Sequence, residues 1–96
     1  MYGDMASVSE VTGSQSETEL GTGFARFRNA RIPWTVQYDE VLLVIEGTVT
    51  IHIEDELIEA KAKDAVWLPK GTNLTYVSKS ALVFYAIHPA NWSESQ

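Results

Sequence analysis

Ninety-six residues, 45% of them hydrophobic and 10% aromatic, are enough for one globular core and too few for two, and the chain is too apolar to be disordered. Cysteine is absent, which excludes disulfides, thiolate metal sites and cysteine nucleophiles together and fits a reducing interior. Thirteen acidic residues against seven basic ones give a formal charge of −6 and leave Arg26, Arg28 and Arg31 as the one basic cluster, which argues against a nucleic-acid partner.

In chain order, residues 1–22 read as an arm. They are rich in Gly, Ser and Thr, carry Asp4, Glu10, Glu17 and Glu19 without a Lys or Arg, and hold one short β-run at Ala6–Val11 that could pair with the barrel or with a partner. Met1–Val11 lacks the basic and apolar regions of a signal peptide, and no apolar run approaches the ~20 residues of a bilayer span. A soluble, cytoplasmic protein with no membrane partner is expected.

From Gly23 to Trp92 the expected domain is β almost throughout. Runs rich in Val, Ile, Tyr, Phe and Thr recur at Phe24–Arg28, Thr35–Gln37, Val41–Glu46, Thr48–Ile53, Leu57–Ala62, Ala65–Leu68, Leu74–Val77 and Leu82–His88. Thr48–Ile53 alternates, placing Val49, Ile51 and Ile53 on one face. Val41–Ile45 is apolar on both faces, the pattern of a strand covered on both sides. Gly47 marks a bend or bulge. Glu54-Asp55-Glu56 joins two strands, with Asp55 the residue best suited to positive φ. Pro69-Lys70-Gly71 is a turn signal. No segment has a 3.6-residue period, so helix is confined to a last turn near Pro89–Trp92, and residues 93–96 read as a tail. The fold class is all-β, a sandwich or barrel.

Two signatures refine this. Glu40 is followed by six residues and Gly47, and Asp64-Ala-Val-Trp-Leu-Pro-Lys-Gly71 begins seventeen positions after that glycine. Together they resemble the two motifs of the cupin superfamily, which implies a single RmlC-like jelly-roll barrel. Metal-binding cupins add two histidines shortly before the Glu and a third in the second motif. Here those places fall on Trp34 and Val36, or on Pro33 and Thr35, and on Leu74. None of these side chains replaces imidazole, and Lys63 stands where the family has glycine. Of four ligands Glu40 alone remains, so the expectation is no metal and no cofactor. His52, on the polar face of its strand, and His88, ending the last strand, are read as structural or surface residues.

Trp34-x3-Tyr38-Asp39-Glu40, Trp67-Leu-Pro-Lys-Gly71 and the terminal His88-Pro-Ala-Asn-Trp92 narrow the resemblance to the cupin domain of the ethanolamine-utilisation Q family. In that family the cupin is the C-terminal half of a longer protein. The resemblance implies a role in ethanolamine breakdown in bacterial microcompartments, with microcompartment proteins as partners. An acetate kinase activity ascribed to the family does not follow from these residues.

Glu40 is the candidate catalytic residue. Inside a barrel its carboxyl is desolvated and can act as a general acid or base, pair with a cationic ligand, or simply tie two strands together. Trp34, Tyr38 and Tyr76 are the candidate binding residues. An aromatic wall beside one carboxylate suits a small amine, although aromatics in small barrels commonly serve only as core. Three readings follow: a metal-free barrel binding a small polar metabolite or a partner protein; an enzyme using Glu40 in lyase, isomerase or acetate-kinase-like phosphotransfer chemistry; and a metal-dependent oxygenase, the weakest. Lys70-Gly71-Thr72 has the closing residues of a phosphate-binding loop but neither its upstream glycine nor a following helix. A homodimer is expected, since a domain this small gains stability from burial against a copy.

Overall fold

The structure is a computed structural model and describes residues 5–92. It is all-β, as the sequence implies. The strands are β1 (Ala6–Thr12), β2 (Gly21–Thr35), β3 (Asp39–Ile53), β4 (Glu56–Lys61), β5 (Ala65–Leu68) and β6 (Asn73–His88), with a 3-10 turn at Ser14–Ser16. They form one antiparallel sheet in the order β1-β2-β6-β3-β4, and β5 pairs with the first part of β3. β1 is an edge strand, paired along Ala6–Thr12 with Thr22–Phe27 of β2.

Four of the eight runs expected from the sequence fuse in pairs, in β3 and β6, while β2 extends Phe24–Arg28 as far as Thr35 and leaves Val36 and Gln37 outside it. β2, β3 and β6 each span 15 or 16 residues because the apparent breaks are bends within continuously paired strands. Asn29 takes a left-handed φ of 44° in β2. In β3 the register with β6 slips between Val44 and Glu46 and again between Gly47 and Thr50, so the bulge expected at Gly47 is present. Gly47 has φ 80°, and a Cβ there would collide with the carbonyl oxygen of Ser80. Glycine is therefore required twice over at this corner.

The turns show two departures. In the hairpin between Ile53 and Glu56 the positive φ falls on Glu54 (53°), not on Asp55. The first position of this two-residue loop is the one that needs it, whatever the chemistry of the second. Lys63, in the position of the family's glycine, keeps the left-handed conformation at φ 79°. It is held there by the Lys63 N–H donating to the Val44 carbonyl at 2.7 Å, while the Asp64 carboxylate accepts from the Lys61 N–H at 2.9 Å.

Inward-facing side chains from the later part of β2, the later part of β3, β4 and the early part of β6 make a closed core. Ile32, Val49, Ile51, Ala60 and Leu74 are buried there, with Val36 and Leu68 beside them. Val49 and Ile51 lie on one inward face, as the alternation requires. The earlier part of β3 departs from expectation. Leu42 and Val44 are buried, but Val41, Leu43 and Ile45 are exposed, so among the described residues the chain covers only one face of this strand.

Candidate functional site

Long bent strands leave the other end of the barrel hollow. The first half of β2 carries Gly21, Gly23 and Ala25 on its inner face, residues too small to fill the space that Ile32 fills further along. The hydroxyl of Tyr85 occupies the position a side chain at Gly23 would take. A cavity of about 220 Å³ results, lined by β1, both ends of β2, the loop before β3 and its early part, both halves of β6 and the segment after it.

Glu40 enters this cavity from the start of β3, between Leu68 of β5 and Ile87 of β6. It is 5% exposed and is the one charged side chain among the buried described residues. The Tyr76 hydroxyl donates to Glu40 Oε1 at 3.1 Å. Burial pushes the carboxyl up to about 7, with the tyrosine hydrogen bond opposing the shift. Tyr76 and Tyr38 are themselves pushed well above the ordinary phenol range, first by burial and then by the neighbouring Glu40. Both phenols are therefore neutral donors at any physiological pH.

All four residues singled out from the sequence, Glu40, Trp34, Tyr38 and Tyr76, line this one cavity. Trp34 comes from the end of β2, Tyr38 from the loop before β3 and Tyr76 from β6. Trp34 and Tyr38 lie 6.5 Å apart between ring centroids, and both meet Trp92, at 5.9 Å and 5.2 Å, in edge-on contacts. The sequence did not mark Trp92, Tyr85 or Glu10 as lining residues. Trp92 had a signal, since it closes the distinctive Pro-Ala-Asn-Trp segment, but only the fold shows that this segment crosses the cavity mouth. Its position is fixed by the Ala90 N–H donating to the Glu19 carbonyl at 2.8 Å. Trp67 stands on the opposite surface, 60% exposed, and neither His52 nor His88 reaches the cavity.

The positions of the absent histidines fail the metal test on their own chemistry. Val36 and Leu74 are buried hydrocarbon, Trp34 offers a ring without a free lone pair, and Pro33 and Thr35 are exposed. Among the described residues no three His, Cys, Asp or Glu side chains come together. The residues present do not fit a cupin metal centre. No helix of the described chain is long and apolar enough to cross a membrane.

Comparison with known proteins agrees with this architecture. The family model of ethanolamine utilisation protein EutQ matches residues 4–94. The protein named acetate kinase EutQ from Escherichia coli K12 is 37% identical over 83 residues, 85% of this chain and 35% of that protein. Its namesake from Salmonella typhimurium LT2 is 34% identical over 88% of this chain and 38% of its own length. The chain thus spans little more than a third of these two curated relatives. Among solved structures, ethanolamine utilisation protein Q of Salmonella typhimurium LT2 superposes with a TM-score of 0.84 at 32% identity, covering 90% of this chain and 71% of that one. The Clostridium difficile EutQ protein superposes with a TM-score of 0.86 at 25% identity, covering 95% and 67%. A cupin-2 domain protein of Shewanella frigidimarina, 20% identical with a TM-score of 0.71 over 83% of this chain and 78% of that one, shares the fold. With motif, barrel and a match across nearly its whole length, the chain belongs to the EutQ family of ethanolamine utilisation proteins and is a cupin.

Proposed function

We propose that this cupin works without a metal and holds a small polar metabolite of ethanolamine breakdown in its barrel, at Glu40. The observation that carries the reading is a single buried carboxylate, met by one tyrosine hydroxyl, at an aromatic-walled cavity of metabolite size. Metal-ligand positions filled with Trp, Val and Leu support it, since they leave the cavity to organic chemistry. The role belongs to the ethanolamine-degrading microcompartment and its proteins. Thermal-shift measurements with ethanolamine, acetate, acetyl phosphate and ATP, on the native chain and on Glu40→Gln, test the site. At least one compound raises the melting temperature of the native protein, and the variant loses most of that rise. A rise untouched by the substitution removes Glu40 from the binding site.

A second reading makes Glu40 a general acid or base, in lyase, isomerase or phosphotransfer chemistry. It is favoured by the carboxyl's shift to about 7, where it exchanges protons at neutral pH. The two relatives named acetate kinase are about three times as long as the matched segment, so phosphotransfer comes to this chain only as part of this reading.

The partner we propose for the outer surface is a second copy of the chain. Phe24, Val41, Leu43, Ile45 and Trp67 are exposed on the outside of neighbouring strands, with Leu82 and Phe84 of β6 between them. A contiguous apolar face of this kind on a soluble domain marks an interface. Its charges complement themselves. Arg26 on β2 and Glu46 on β3 flank Leu82 in one cross-strand row. A two-fold axis along β6 lays each over the other in the facing copy, as an isologous interface requires.

A further inference from the structure

The proposal above leaves the chemical class of the metabolite open, and the ionisable groups around the cavity narrow it. Five of the lining residues titrate: Glu40 from β3, Glu10 from β1, Tyr38 from the loop before β3, and Tyr76 and Tyr85 from β6. All are acids. No Lys, Arg or His is among the described residues lining the cavity. Glu40 lies inside and Glu10 is exposed at the rim, close enough to Tyr85 to push that phenol up, after burial and ahead of Glu40.

We infer that the cavity is selective for a small organic cation, a primary ammonium with a short polar tail, and excludes carboxylate and phosphate ligands. The inference rests on the reading of this cavity as a metabolite site. An anion brought beside Glu40 would meet a like charge or a second acid with no counter-ion, in surroundings that screen poorly. An ammonium would find the opposite. Glu40 offers one carboxylate, Tyr76 fixes its orientation, and Trp34, Tyr38 and Trp92 present π-systems whose faces attract cations. The hydroxyls of Tyr38 and Tyr85, on the same lining, can serve the tail. The volume of about 220 Å³ suits a ligand of a few heavy atoms, not a nucleotide.

Binding also moves a proton. Below neutral pH much of Glu40 carries one, and a cation seated against it favours the carboxylate, so the proton leaves Glu40 for the buffer. A residue with a purely structural role would show no such exchange.

Titration calorimetry on the whole chain tests the inference, with ethanolamine as the cation, ethylene glycol as its neutral counterpart, and acetate and acetyl phosphate as anions. Ethanolamine binds and the others do not. Repeating the titration at about pH 6 in buffers of different ionisation enthalpy shows a proton released, with the release fading above about pH 8. Glu40→Gln, nearly identical in shape, weakens ethanolamine by about thirtyfold or more. Trp34→Leu keeps the carboxylate, removes one π face and weakens it by about three- to tenfold. Binding of acetate, acetyl phosphate or ethylene glycol in preference to ethanolamine, lost in Glu40→Gln, overturns the cation class while leaving the metabolite site standing. Ethanolamine binding that Glu40→Gln leaves unchanged overturns the inference too. If no compound binds the native chain, the site reading and the cation class fall together.

Discussion

The two halves of the barrel are made by the same three strands and have opposite interiors. Where the later parts of β2 and β3 meet the early part of β6, Ile32, Val49, Ile51 and Leu74 close the space with hydrocarbon. Where the other halves meet, Gly21 and Ala25 line a cavity with a carboxylate in it. The bends at Asn29 and Gly47 lie between the two, and Trp34 and Tyr76 reach the cavity from the closed side. One half thus supplies the stability that lets the other carry an uncompensated acid, a common trade between scaffold and site.

Truncating both halves alike should expose the difference most strongly. Ile51→Ala removes a fully buried side chain from the closed half and should cost about 2–5 kcal/mol in urea unfolding. Ile87→Ala, half-buried at the cavity, should cost less than about 2 kcal/mol, because the space it leaves joins one already open. Equal losses would mean that the hollow half is as tightly determined as the packed one.

A smaller effect comes from Glu40 itself. Its folded pKa, about 7, lies above the 4.5 of an unburied carboxyl, so the folded state binds the proton more tightly than the unfolded state. Stability is therefore unaffected by this group below about pH 4.5, declines as pH rises toward 7, and carries the full penalty above it. The penalty is on the order of 3 kcal/mol. Glu40→Gln, which cannot ionise, should unfold with a stability curve lacking this decline. Its advantage over the native protein should therefore be larger at pH 8 than at pH 5. A constant difference across that range would place the carboxylate in water.

How much of this was legible follows the distance over which each signal acts. Glu40, Gly47, Asp64 and Gly71 punctuate the chain locally, and each marks a strand start or turn that the structure contains. Trp34, Tyr38 and Tyr76 could be placed beside Glu40 because they sit within or next to the two motifs. Trp92, Tyr85 and Glu10 could not, since they reach the cavity only through pairings of β1, β2 and β6 that period-two patterning does not specify. Val41, Leu43 and Ile45 misled for a different reason. An apolar outer face reads as buried from the sequence whether or not the chain covers it, and here the described chain does not.

That outer face gives the test with the smallest effect on the fold. Leu43→Lys puts a charge at the centre of the face and should change monomer stability by no more than about 0.5 kcal/mol, as for most surface substitutions. Sedimentation should nevertheless show the native chain as a dimer at micromolar concentration and the variant as a monomer. A native chain that sediments as a monomer would leave the face without its second copy.

The sheet order has a consequence for how the molecule comes into being. β6 lies between β2 and β3, so the middle of the sheet pairs residues from 23 to 66 positions apart in the chain. Two hairpins, β3–β4 with its two-residue loop and β1–β2, join strands that are neighbours in the chain. The cavity closes only when Asn73–His88 finds its place between the two long strands that precede it. Folding dominated by such remote pairings runs on the millisecond-to-second scale. Until β6 docks, Glu40 has neither Tyr76 nor an enclosure, and its carboxyl is an ordinary one in water. The unusual acid and the completed sheet therefore arise in the same kinetic step.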